Sequence, residues 1–183
     1  MKTTPLRAAM ALSLGLFCAA AASNALADGP LKADAGTIAC GGNYAVTGSG
    51  VLKQAAFWTL RNHNDATALK ITGFRIYDAR GALIYDSSVS GLPASDNGVL
   101  GSGNSILGPH QTVTFSTDGL LASNALAPLP GSRRPIELNV DWAADSKAVP
   151  LTGGLTRVKR SGVTGEEISR AGFACQNIRI GDN

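Results

Sequence analysis

Apolar residues recur at every second position along this chain, in short runs parted by polar, glycine-punctuated connections. The cleanest run sets Ile136, Leu138, Val140 and Trp142 in alternation with Glu137, Asn139 and Asp141. A period of two predicts a strand with one face in the core and one in water. A second strand spans 55–61, with Ala56, Trp58 and Leu60 on one face and Phe57, Thr59 and Arg61 on the other. A third, over 68–77, changes phase: Leu69 and Ile71 share one parity, Phe74 and Ile76 the other. A β-bulge at Thr72-Gly73 would return all four to a common face. Asp78-Ala79-Arg80-Gly81 then joins this run to a strand over 82–86. Its composition is that of a type I turn, with Asp78 bonding the turn backbone and Gly81 at positive φ.

Weaker patterns fill the remainder. Residues 28–36 are polar and glycine-punctuated, so a loose mature N-terminus is expected. A strand is expected over 37–46, bent at Gly41-Gly42, and Asn62-His63-Asn64-Asp65 reads as a turn. The stretch 87–108 is rich in Gly, Ser, Asn and Asp and long for a connection inside a compact domain, which predicts a functional or mobile loop. Val113 and Phe115 alternate with threonines in a strand over 112–116, 120–126 reads as a short helix, and 128–135 as a linker. Runs at 155–160 and 167–178 predict a closing hairpin through 161–165. About seven to nine short strands with polar turns predict an all-β fold, an antiparallel β-sandwich forming one domain over 37–183.

Composition adds a compartment. Lys2 and Arg7 precede an apolar run over 8–22, and Ala25-Leu26-Ala27 follows. This is the layout of a secretory signal peptide over 1–27, cleaved between Ala27 and Asp28, with an apolar core too short to remain as an anchor. A lipid-anchored alternative would use Cys18, but bulky Phe17 precedes it. No other run is long and apolar enough for a transmembrane helix. Two cysteines stay in the mature chain, Cys40 and Cys175, and in an oxidising compartment they most simply form one disulfide. With Lys2 and Arg7 removed, 14 of the 16 basic residues face 13 acidic ones. That balance argues against a nucleic-acid partner.

Catalytic chemistry has little to start from. His63 and His110 both fall in expected turns, and no G-x-S-x-G elbow, phosphate-loop or dinucleotide-binding glycine pattern occurs. With both cysteines committed, two histidines alone do not complete a zinc site, so neither metal nor cofactor is expected. Two surface features remain. Arg157, Lys159 and Arg160, with Lys147 and Arg133-Arg134 as further members, would form a basic patch for an anionic partner, or simply guard a strand edge. Phe57 and Tyr77, on the polar parity of their strands, are candidate exposed contacts, whereas Trp58 and Trp142 are expected in the core.

Thr59-Leu60-Arg61-Asn62, the 74–81 segment, and Leu107-Gly108-Pro109-His110-Gln111-Thr112-Val113-Thr114-Phe115 together resemble the immunoglobulin-like accessory modules of bacterial envelope proteins. Those modules end one strand in Asn, another in Asp-x-x-Gly, and precede the last with Leu-x-Pro-Gly; His110 stands where that glycine is usual. The resemblance runs from residue 59 to 115 and implies an immunoglobulin-like sandwich. Leu129-Pro130-Gly131-Ser132-Arg133-Arg134 before Leu138-Asn139-Val140 is similar to a segment of periplasmic pilus chaperones.

The expected function is a non-enzymatic binding or structural module of the bacterial periplasm or cell envelope, with a protein or envelope component as partner. Its contact surface would be the 87–108 loop, including Asp96 and Asn97, together with one sheet edge. The rivals are a secreted hydrolase built around His63 or His110, with a carboxylate and a serine beside the histidine, and a pilus-type chaperone or subunit.

Overall fold

A computed structural model describes residues 31–46, 52–126 and 135–181. Among these the chain forms β1 (Ala33–Gly41), β2 (Ala45–Val46), β3 (Leu52–Arg61), β4 (Leu69–Asp78), β5 (Leu83–Asp86), α1 (Ser87–Ser90), β6 (Ile106–Leu107), β7 (Thr112–Ser116), α2 (Thr117–Ala122), β8 (Pro135–Ala148), β9 (Thr152–Ser161), β10 (Glu167–Ala174) and β11 (Gln176–Gly181). Every pairing is antiparallel. One sheet, called I, runs β11-β1-β8-β4-β5 with β6 beside β4. Sheet II runs β10-β9-β3-β2 with β7 beside β3. The strands outnumber the expected set because the two-residue β2 and β6 are too short to carry a period. The expected leader, residues 28–30 and most of the 128–135 linker lie outside the described residues.

The inner faces of the two sheets make one core. Trp58 and Leu60 of β3 and Phe115 of β7 meet Phe74 and Ile76 of β4 and Leu138, Val140 and Trp142 of β8, all at most 1% exposed. Phe74 lies 4.9 Å from Phe115 across the sheets, at ring centroids. Each such side chain contributes about 1.5–3 kcal/mol on leaving water. The phase change in β4 is a register shift between Ile71 and Gly73 against β8, and it keeps Leu69, Ile71, Phe74 and Ile76 all buried. The 78–81 turn forms as expected: Asp78 Oδ1 accepts from Arg80 and Ala82 backbone N–H, and Gly81 has φ +74°. His110, standing in for a glycine, has φ +57°.

Three expectations give way. Residues 33–36 are not loose: Ala33, Ala35 and Gly36 pair with β8, and Ala35 and Gly36 also with β11. Their partners lie more than a hundred positions away, so nothing local announces the strand. The helix begins at Thr117 rather than 120, because Ser116 caps it by accepting from Gly119 N–H at 3.0 Å. The second arm of the last hairpin is also not one strand. At Cys175 the chain leaves sheet II for sheet I, dividing 167–178 between β10 and β11. The Cys40–Cys175 disulfide sits at that crossover.

Candidate functional site

The expected contact residues do not gather in one place. The 87–108 loop is tied down: Leu100 is buried, Ser95 and Leu100 exchange hydrogen bonds, and Asp96 N–H donates to Thr114 O at 2.8 Å. Asn97 donates to Thr112 O and accepts from Thr114 N–H, so its amide fastens the loop to β7. Tyr77, beside Leu83 and Glu137, lies on the outer face of sheet I. Phe57, beside Thr156 and Ser116, lies on the outer face of sheet II, so the two aromatics look away from each other.

The basic run on β9 is divided by the strand's own period. Leu155 pairs with core Trp58 and Arg157 with core Ala56, which puts Arg157 and Lys159 on the inner side of sheet II. Arg160 takes the outer side, its guanidinium 5.7 Å from the Phe57 ring centre. Arg157 lies 5.4 Å over the Phe173 ring of β10. Lys147 is exposed on β8, and Arg133 and Arg134 lie outside the described residues.

What assembles instead is the flank where both sheets end. Among the described residues β10 pairs only with β9, and β11 only with β1. Cys175 N–H donates to Gly153 O, which sets the ladder phase: Phe173 and Ala171 spend their backbone groups on β9. Ala174, Gly172 and Arg170 therefore turn theirs to the open edge. Every residue of β11 is exposed, as is all of β10 except half-buried Ala171. Exposed large apolar side chains collect here: Ile168 at 53%, Phe173 at 50%, Ile178 at 57% and Ile180 at 37%. Phe173 pairs with Leu155 and Ile180 with Gly36, so both face the gap between the sheets. Glu167 accepts two hydrogen bonds from Arg170, at 3.0 and 2.8 Å. This contact holds the Glu167 carboxyl below its ordinary range and raises Arg170. Sequence reading missed these apolar residues because an alternating apolar pair predicts burial; only the topology shows that nothing covers them.

The outer face of sheet II carries a depression of about 380 Å³, with Gly154 and Gly172 in its floor. Thr59, Thr152 and Thr156 edge it, and Arg61 and His63 close one end. Among the described residues no carboxylate or serine lines it beside His63. His110 pairs at 3.1 Å with Asp65 in an exposed turn. Among the described residues no three His, Cys, Asp or Glu side chains converge as metal ligands, and no helix is long and apolar enough to cross a membrane. No family model, curated protein or solved structure matches the chain.

Proposed function

We propose that the chain is an exported, non-enzymatic binding module of the bacterial periplasm or cell envelope, holding a protein partner along the β10 edge. One observation carries the reading: the two strands that end their sheets among the described residues leave Phe173, Ile178 and Ile180 in solvent beside backbone that no described strand pairs. Edges of that kind accept an added strand. The leader-like N-terminus and the Cys40–Cys175 bond support an oxidising destination.

The charge of the flank selects the partner. Lys159, Arg160 and Arg170 surround the first half of β10, where Glu167 is already engaged by Arg170, and Arg157 stands opposite Ala171 at the middle of the strand. The second half, Gly172 to Ala174, is uncharged and includes Phe173. An extended segment with acidic residues against the first half and apolar ones against Phe173 complements both. A second copy fits worse, because antiparallel self-pairing over the whole strand would set the charged first half of each β10 against the uncharged second half of the other.

The test is a photo-activatable residue at Ala174 or at Tyr77 in cells exporting the protein. A discrete heterologous adduct from position 174, lost with Arg157→Glu and Lys159→Glu together, is the expected result. Adducts from position 77 alone, or a self-adduct from 174, would overturn the reading.

A further inference from the structure

Gly154 and Gly172 are strand-interior glycines that the fold does not require. Elsewhere the reason for glycine is plain. A Cβ at Gly36 would stand 2.7 Å from Arg179 O, one at Gly153 would stand 2.8 Å from Leu60 Cδ2, and Gly81 and Gly165 have positive φ. A Cβ at Gly154 would meet nothing nearer than Phe173 O at 3.6 Å, and one at Gly172 would meet nothing within 4 Å. Neither has positive φ. Glycine inside a strand costs stability and marks places where a ligand or another backbone comes close.

Both glycines lie on the outer face of sheet II. Gly154 stands between Thr59 of β3 and Ala174 of β10, and the next row two residues along holds Phe57, Thr156 and Gly172. The row on the other side holds Arg61 and Thr152. The missing side chains leave bare backbone as a floor, bordered by three threonine hydroxyls, each able to donate and accept. The Thr152 hydroxyl already donates to Arg61 O at 3.4 Å and keeps its lone pairs. At the far end stand the exposed Arg61 guanidinium and His63 imidazole, and among the described residues no carboxylate in the lining neutralises the guanidinium.

We propose that this trough binds a hydroxylated ring carrying one anionic group: an acidic sugar, bearing a carboxylate or a phosphate ester. The ring lies flat on Gly154 and Gly172, its hydroxyls exchange hydrogen bonds with Thr59 and Thr156, and the anion meets the Arg61 fork and His63. A neutral sugar leaves the Arg61 guanidinium unanswered. A cationic ligand finds no acidic group.

The trough opens on the outer face of sheet II and shares only its Gly172 rim with the strand edge; Gly154 is on β9 and takes no part in edge pairing, so a change there tests the trough alone. It is tested by following amide shifts of the whole mature protein on titration with glucuronate, glucose 6-phosphate, glucose and an oligomeric uronate. Both anionic monosaccharides should shift the amides of β3 and β9 around the trough, with glucose at least about tenfold weaker. Gly154→Val should abolish these shifts without lowering the melting temperature, since its Cβ meets only Phe173 O at the ordinary contact distance of 3.6 Å, and Arg61→Gln should weaken binding about tenfold. A uronate oligomer that binds tighter than the monomer assigns the site to acidic glycan chains; equal affinities assign it to free sugar acids. Glucose binding as well as glucuronate, a folded Gly154→Val that still binds, or no shifts with any sugar would each overturn the proposal.

Discussion

Replacing Asn62 tests whether a polar cluster, rather than more apolar packing, closes one end of the sandwich. Asn62 is fully buried where β3 ends. Its amide nitrogen donates to Thr67 O at 2.8 Å and to Leu107 O and Gly108 O at 3.0 Å. Its Oδ1 accepts from Asn64 N–H at 2.9 Å and from Asn64 Nδ2 at 2.7 Å. Asn64 in turn exchanges two bonds with the Val149 backbone after β8. One side chain thus joins three connections from both sheets. Asn62→Ala strips partners from Leu107 O and from both Asn64 donors in buried surroundings. Asn64 Nδ2 keeps Val149 O as an acceptor, so the cost combines 1–3 kcal/mol for the buried Asn64 N–H with about 1 kcal/mol for a further lost bond, about 3 kcal/mol in all. That corresponds to a fall of roughly 6–12 °C in melting temperature for a domain of this size.

Asn62→Asp sharpens the test. It keeps the acceptor for Asn64 but turns an oxygen toward three carbonyls. Desolvation and those carbonyls disfavour the charge, so the folded pKa rises above the unfolded value of about 3.9. A raised folded pKa means stability is lost as pH climbs from the unfolded value through the folded one, and returns in acid. Urea titrations followed by the fluorescence of buried Trp58 and Trp142 report all three proteins. An alanine variant within about 1 kcal/mol of the parent, or an aspartate variant as stable as alanine at neutral pH, would refute the reasoning.

Replacing both Cys40 and Cys175 with serine opens a loop with a sequence separation of 135 and should cost about 5 kcal/mol in the chain-entropy model, read as a lowered urea midpoint; an unchanged midpoint would refute it. Gly36→Ala should destabilise by about 1–3 kcal/mol, because its Cβ would stand 2.7 Å from Arg179 O and 2.8 Å from the Trp142 ring; a melting curve matching the parent would mean β1 shifts freely. Asp86 caps α1 by accepting from Ser88 N–H at 2.8 Å, and that bond lowers its pKa. Its contribution is therefore present above the ordinary carboxylate range and lost as pH falls through the depressed value, so amide exchange at Ser88 should quicken in acid, and Asp86→Asn should remove the dependence.

The parts of the fold visible in the sequence are those with a local cause. Alternation alone identifies β3 and the inner face of β8, the parity switch at Thr72-Gly73 marks the register shift, and Asp78 with Gly81 defines its turn. Asn62 shows the limit. By composition it belongs to a polar turn, and only the arrival of Leu107 and Val149 makes it a buried anchor. β1 is similar, since 33–36 looks loose until β8 and β11 close on it. The candidate sites were less visible still. An exposed Phe173 and a buried Phe115 each sit in a run that reads as strand, and which is covered depends on how wide each sheet becomes. Arg157, Lys159 and Arg160 are adjacent in sequence, yet the strand sends them to opposite faces.

Both candidate surfaces fall on the same hairpin, and the division of labour in the sandwich explains this. β4 and β8 are central strands whose inner faces fill the core, so a change there costs packing on both sides. β10 and β11 bury almost nothing, which frees their positions for glycine and for exposed apolar side chains. Such strands would fray if ladder bonds alone held them. The disulfide fixes the residue between them to Cys40, itself 1% exposed in the core. Two strand glycines cost about 1–2 kcal/mol, well below the roughly 5 kcal/mol of the bond. The covalent link thus allows the last hairpin to hold glycine and exposed apolar side chains that a core strand does not tolerate.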